Sequence, residues 1–415
     1  MSVPQRVSGT GNFRTMAQEI TSFADILSPV TPEEFFATYY GKKVLHVPGT
    51  ADKFASVMSW ARLNDILNMT GCWSGASLQL VLDRETVPPH EYCRPAADRS
   101  TGAEVLQPDP ARVTALIRRG ASIIANDIDS LNAGLAVTAN AMEAALEAKV
   151  QANLYCSWQK HQAFDTHFDT HDVYAIHVEG EKTWRIYEGR LENPVAHPAF
   201  KTFGQPYHDK ARGKIKTEIT MRPGDLLYIP RGFYHDAIAL TEGTIHIAFG
   251  ATAVVGLDFL TALFERAIHD PLARANMPRL SGPGGEAAFD EHLTKLARRL
   301  GEIGGEPEMT EKFKEYQRRY SYSRGGYDLP GEVAAVGYRV TAKGIKVAEK
   351  GNGFALEGSG GTVPIPPGQD KSVAWVIGRD QFTRAEFDAA FPETPESERA
   401  QLLRDLASMK VIAAL

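Results

Sequence analysis

Only three cysteines occur in the 415 residues, Cys72, Cys93 and Cys156, with no Cys-x-x-Cys spacing and no way for all of them to pair with one another. A disulfide-stapled scaffold is thereby excluded, and a reduced cytoplasm is the simplest setting. A basic excess is missing too, since 45 Lys plus Arg stand against 51 Asp plus Glu for a formal net charge of -6. General nucleic-acid binders show a basic balance or a basic stripe, so direct nucleic-acid binding is not expected, whereas a basic protein partner would suit this chain. No apolar run is long enough to span a bilayer, and the first fifteen residues are polar without an apolar core segment. Neither a membrane span nor a signal peptide is therefore expected. Repeats and low-complexity segments are also lacking. What is present is 43% hydrophobic and 23% charged residues, enough for ample core, over a length that asks for two or three domains.

Chemistry concentrates between Asn153 and Tyr187. At its centre stands His167-Phe168-Asp169. On a strand, alternate side chains share a face, so His167 and Asp169 would converge while Phe168 points away. A bare His-x-Asp arises often by chance, and Asp165, His171 and Asp172 offer competing pairings. Context strengthens it. An apolar strand over Val173 to Val178, a turn at Gly180 and a return strand at Trp184-Arg185-Ile186-Tyr187 follow. Met221 to His235 then supplies a Pro-Gly turn, an apolar strand and a second turn at Pro230 and Gly232 that delivers His235. This strand-turn rhythm predicts a double-stranded β-helix, the cupin or jelly-roll architecture. Two histidines and one carboxylate on one face form the ligand set of non-haem Fe(II) oxygenases.

These residues resemble the cupin-like JmjC oxygenases that depend on Fe(II) and 2-oxoglutarate, especially the bacterial ribosomal oxygenases. The family's Asn-x-Tyr before the His-x-Asp is matched by Asn153 and Tyr155, and its E-G-x-K-x-W-R-x-Y by Glu179, Gly180, Lys182, Trp184, Arg185 and Tyr187. The resemblance implies that His167, Asp169 and His235 bind the metal and carry catalysis, that Lys182 holds the distal carboxylate of 2-oxoglutarate, and that Asn153 and Tyr155 support that cosubstrate. It further implies hydroxylation with O2 of a protein side chain, Arg or His of a ribosomal protein, with release of succinate and CO2, by a homodimer. The same chemistry on a small molecule or biosynthetic peptide, and a non-catalytic cupin that only binds, are the rival readings. From the Gly180-Glu181 turn alone, Lys182 is also readable as a solvent-facing lysine, a reading that the match around it reduces, with Arg185 or Arg231 as other partners for a carboxylate.

Read in order, the chain opens on a disordered start, then a helix from Thr31-Pro32-Glu33-Glu34, with a capping-box pattern and proline at the first helical position. Lys42 to Val47 reads as a strand, with His46 facing solvent or a packed neighbour. A proline-rich stretch from Pro88 to Pro110 is expected to wander over the surface. The carboxylates of Asn126-Asp127-Ile128-Asp129 are read as caps for the next helix rather than as a second metal site, and that helix is expected over Val137 to Lys149. His171 and His246 are placed towards the pocket, though His161, His171, His177, His197, His208 and His246 all have an ordinary packed or surface reading. Glu188 to Lys216 is an insertion between strands and a candidate lid or substrate-binding loop.

The expected fold class is α+β. Residues 1–256 form a JmjC/cupin catalytic domain with an N-terminal helical lead-in, 257–330 a helical dimerisation region and 331–415 a winged-helix-like domain. In the last, Val333 to Val340, Ile345 to Glu349 and Val373 to Ile377 read as strands, and Thr383-x-x-Glu386 and Pro395 open helices. Asp388, Glu393, Glu396, Glu398 and Asp405 make this end acidic, which favours protein contact over DNA.

Overall fold

The strand Asp172–Glu179 is buried on both faces, and its alternation decides how the layers stack. Val173 and Ala175 point into a small core with Trp184, Ile186, Leu227 and Ile229. Tyr174, Ile176 and Val178 point the other way, into a large core shared with Leu135, Ala139 and Met142 of the helix Ala133–Leu146. The computed structural model describes residues 20–97, 102–158, 164–325, 336–358 and 361–415. The expected disordered start and His161 lie outside these residues. The chain divides into two units, residues 1–325 and 326–415.

In the first unit, an eight-stranded antiparallel sheet runs in the order Leu45–Val47, Leu226–Ile229, Asp172–Glu179, Thr244–Ala253, Ala148–Ser157, Ser122–Ala125, Leu78–Leu82 and Glu85–Thr86. Facing it is a three-stranded sheet of Ile215–Met221, Lys182–Arg190 and Phe233–Ala239. From Asp172–Glu179 to Thr244–Ala253 the chain crosses between the two sheets four times, which is the double-stranded β-helix expected. Two turns require glycine. At Gly180 φ is +70°, and at Gly232 it is +87°, a region that side chains with a Cβ rarely adopt. A Cβ on Gly232 would also collide with the carbonyl oxygen of Leu191.

Several local expectations are corrected. The helix before Asn153 spans Ala133–Leu146 and is capped by Asn132, whose side chain accepts from Leu135 N–H at 2.9 Å. Lys149 lies on the following strand. Asp127 and Asp129 are therefore not caps. Asp129 pairs instead with Arg324, whose guanidinium also reaches Glu143 at 2.7 Å, and this buried cluster fastens the end of the helical region to the barrel. Within the proline-rich stretch, Pro89–Tyr92 is a short helix and Cys93–Ala97 pairs antiparallel with Glu104–Pro108. Helices follow the barrel at Gly256–Ala267, Gly285–Gly304 and Pro307–Arg318. Among the described residues, no helix is long and apolar enough to cross a membrane.

The second unit holds a sheet of Gln381–Thr383, Gly337–Val340 and Ile412–Ala414, a meander of Lys346–Lys350, Gly353–Gly358 and Gly361–Ile365, and helices Asp370–Ile377, Arg384–Ala390 and Glu396–Ser408. Val373 to Ile377 is helical, not a strand. Its buried residues Ser372, Val373 and Val376 fall three and four apart, a helical spacing that a short apolar run conceals. Thr383 and Glu386 form the expected capping box, and residues 331–335 lie outside the described part.

Candidate metal centre

His167 and Asp169 do not sit on a regular strand, as their alternation predicts; the ladder begins at Asp172. An isolated bridge replaces it. His167 N–H donates to the His235 carbonyl at 3.1 Å, and His235 N–H donates to the His167 carbonyl at 2.8 Å. Two residues on, Gly232 N–H donates to the Asp169 carbonyl at 2.9 Å. These backbone bonds bring the three side chains together, with one ligand atom from each of His167, Asp169 and His235 lying within 4.8 Å of the others.

Both histidines are oriented by their own backbone. Nδ1 of His167 lies 2.8 Å from the Asp165 carbonyl, and Nδ1 of His235 lies 3.0 Å from the Phe233 carbonyl. A carbonyl only accepts, so each Nδ1 carries a proton and each Nε2 is left for the cluster. Such anchoring is how metal-ligating imidazoles are held. His235 Nε2 stands 3.4 Å from Asp169 Oδ2. Burial would lower the His235 pKa, but this carboxylate outweighs it and holds the ring above its ordinary range. His167, buried and facing His235, is pushed down. Asp169 is held well below the usual carboxylate range, because His235, His171 and His167 outweigh its burial. An anionic oxygen and two oriented imidazole nitrogens are a donor set that fits Fe(II).

The cluster opens on a cavity of about 300 Å³, also lined by Asn153, Tyr155, His171, Lys182, Trp184 and His246. Lys182 is 5% exposed, and no carboxylate among the described residues pairs with its ammonium. Burial pushes its pKa down to about 8, with Cys156 opposing. The solvent-facing reading of Lys182 is therefore wrong. Of the two alternative cations, Arg185 pairs with Glu218 at 3.0 Å and Arg231 Nη1 donates to the Pro194 carbonyl at 3.3 Å, and neither lines the cavity.

Strand register explains a row of rings along one wall. His246 is the cross-strand partner of both Tyr155 and His177, and it stacks on them with centroids 4.8 and 6.5 Å apart. Its pKa is driven well below the ordinary value by burial, then by Lys182 and His177, so the ring is neutral. His177 is pushed down to about 4, chiefly by burial, and Nε2 lies 2.9 Å from the Gly180 carbonyl. Tyr155 is raised by burial and by Asp169, against a hydrogen bond from Asn153, whose Oδ1 accepts from Asp127 N–H at 3.0 Å.

Two cavity groups carry more than the sequence reading gave them. Nδ1 of His246 and Nε1 of Trp184 are buried without a hydrogen-bond partner among the described residues. The signal for Trp184 was its parity with Lys182 on one strand, and for His246 its place on the strand after His235. His171 lines the cavity as its parity predicts; its ring lies against Gly250, where a Cβ would fall 2.6 Å from Cδ2. His46, 3.1 Å from Asp225, is half-buried and His197, which caps a short helix, is exposed, and neither lines the cavity.

Residues 131–258 match the JmjC domain family. The bifunctional lysine-specific demethylase and histidyl-hydroxylase NO66 of Dictyostelium discoideum is 24% identical over 232 residues, covering 54% of this chain and 41% of that protein. NO66 of Drosophila erecta is 27% identical over 218 residues, covering 51% and 30%. Ribosomal oxygenase 1 of Gallus gallus is 26% identical over 245 residues, covering 59% and 38%. The matched part is thus less than half the length of each of these relatives. Among solved structures, YcfD, a ribosomal oxygenase from Escherichia coli in complex with cobalt and 2-oxoglutarate, aligns over 93% of this chain and 98% of that one, at 15% identity and a TM-score of 0.47.

Proposed function

From a chain that carries a JmjC domain at residues 131–258, we propose an Fe(II)- and 2-oxoglutarate-dependent oxygenase that hydroxylates a protein side chain. The observation that carries this reading is one cavity holding both the His167-Asp169-His235 cluster and the buried, unpaired ammonium of Lys182. When bound, iron with 2-oxoglutarate and O2 supplies hydroxylation of a C–H bond, releasing succinate and CO2. The chain's own groups do the positioning. His167, Asp169 and His235 hold the metal on one face. Lys182 pairs with the distal carboxylate of 2-oxoglutarate, a charge-assisted contact that satisfies an otherwise costly buried cation. Tyr155 and Asn153, with the unpartnered Nε1 of Trp184 and Nδ1 of His246, complete the polar lining on that side. The neutral His246 adds no second positive charge there.

The substrate we assign is an Arg or His side chain of a ribosomal protein. Relatives named as histidyl-hydroxylases and as a ribosomal oxygenase support this class, and the net charge of -6 would speed encounter with a basic protein. Incubating the enzyme with Fe(II), ascorbate and 2-oxoglutarate beside ribosomal proteins and beside a metabolite extract, then searching each by mass spectrometry, is expected to show a gain of one oxygen on a ribosomal protein. Oxygen found only on a small molecule would replace this substrate. Oxygen on neither, with no succinate formed, would favour the binding-only cupin.

We assign residues 1–256 to catalysis, 257–330 to dimerisation and 331–415 to a winged-helix-like domain acting in a cytoplasmic setting. Support for the dimer is an apolar stripe on the helix Gly256–Ala267 and just beyond it, where Leu257, Leu260, Phe264 and Ile268 are 55%, 55%, 64% and 47% exposed. A second copy would cover it. The double substitution Leu260→Glu with Phe264→Glu is expected to halve the mass by light scattering, from dimer to monomer, without lowering succinate yield per site. A monomeric wild type would refute the dimer. For the C-terminal unit, the exposed Glu393, Glu396 and Glu398 support protein contact rather than DNA binding.

A further inference from the structure

The insertion between the strands Lys182–Arg190 and Ile215–Met221 is, from the sequence, a candidate lid or substrate-binding loop, yet its polar contacts run to the residues beside the metal ligands. Gln205 Nε2 donates to the Thr166 carbonyl at 3.1 Å, and the rings of Phe203 and His208 lie against Phe168, with centroids 6.3 and 5.6 Å away. At the end of the insertion, Arg212 Nη1 donates to Thr166 Oγ1 at 2.9 Å and to Tyr187 Oη at 3.1 Å. Both hydroxyls then approach one carboxylate oxygen, Oδ2 of Asp236, at 2.7 Å from Thr166 and 2.6 Å from Tyr187. The proton directions are forced. A guanidinium only donates and a carboxylate only accepts, so each hydroxyl accepts from Arg212 and gives its own proton to Asp236. Thr166 and Asp236 are each 3% exposed. Thr166 immediately precedes His167, and Asp236 immediately follows His235, so a single buried carboxylate ties together the neighbours of both imidazole ligands.

Resting on the reading of His167, Asp169 and His235 as metal ligands, we infer that Arg212, Thr166, Tyr187 and Asp236 are positioning residues that set the spacing and orientation of the two histidines, with the insertion as a clamp rather than a lid. Buried charge-assisted chains hold few alternative geometries, because each lost bond strands a desolvated group. Metal affinity depends on such support around the ligands. Arg212 reaches Asp236 through the relay of the two hydroxyls, and Arg185 Nη1 stands 3.9 Å from the other carboxylate oxygen, Oδ1.

The test titrates purified full-length protein with Co(II), reading Kd and the ligand-field absorption, for Asp236→Asn, Tyr187→Phe, Thr166→Val and Arg212→Ala. Asp236→Asn is expected to weaken Co(II) binding by roughly 10–100-fold and to alter the absorption band, the other three by less, with Arg212→Lys recovering part of the loss. Ile219→Ala, which trims an apolar side chain packed on the small core between the sheets, is the reference. It should lower Tm and leave Kd unchanged, which separates positioning from general destabilisation. If Asp236→Asn does not fold, Tyr187→Phe carries the test, because it removes one hydroxyl and keeps the ring. Folded Tyr187→Phe and Thr166→Val proteins that bind Co(II) within about twofold of the wild type overturn the relay. A wild type that binds no Co(II) instead overturns the metal-site reading beneath it.

Discussion

Asp169→Ala protein is expected to form no succinate from 2-oxoglutarate and to bind Co(II) or Fe(II) more than roughly 100-fold more weakly than the wild type, a loss beyond that seen when only a ligand's support is removed. The carboxylate is the one anionic donor in the cluster, and it lies 3.4 Å from His235 Nε2. Without it two neutral imidazoles remain, too little to hold a divalent ion that exchanges readily. The fold should survive, since the segment is fastened by backbone bonds between His167 and His235 and from Gly232 to the Asp169 carbonyl, which alanine retains. Metal titration, succinate yield and Tm measured together make the case. Succinate formation at the wild-type level by metal-reconstituted Asp169→Ala protein would sink the site.

Lys182→Met should move two observables in opposite directions. Affinity for 2-oxoglutarate should fall: a hydrogen bond to a charged group contributes ~1.5–3 kcal/mol, which corresponds to an apparent KM raised roughly 10- to 150-fold. Stability without ligands should rise. Burial pushes the ammonium down to about 8 from 10.5, so holding its charge costs the fold on the order of 3 kcal/mol at neutral pH. Because the folded pKa is depressed, the unfolded chain binds more protons between pH 8 and 10.5. Wild-type stability from this residue therefore rises with pH across that window, and the Met variant lacks the rise. Thermal unfolding with and without 2-oxoglutarate, at several pH values, reads both effects. An unchanged KM would mean that another group holds the distal carboxylate, and a lower Tm for the ligand-free variant would contradict the burial argument.

Much of the site was legible before any fold was known, because its signals are local. His167, Asp169 and His235 occupy a recognisable pattern, and Gly180 and Gly232 mark turns that need positive φ, at +70° and +87°. The caps at Thr31 and Thr383 are closed by bonds within three residues of each other, so they too are written in the sequence. Where the deciding contact is distant, the residues alone left the choice open or misled. Lys182 reads as a turn lysine until folding buries it, at 5% exposure, beside the large sheet. Asp129 reads as a cap until Arg324, far along the chain, reaches it and leaves Asn132 to cap the helix. Val373 to Ile377 reads as a strand because five apolar residues fit either period, and the core of the second unit selects the helix. His246 acquires its place from pairing with Tyr155 on one side and His177 on the other. The bond from Thr166 to Asp236 joins residues seventy positions apart. Local hydrogen bonding and backbone sterics are set by neighbours in the chain; burial, strand register and the pairing of buried charges are set by what folding brings alongside.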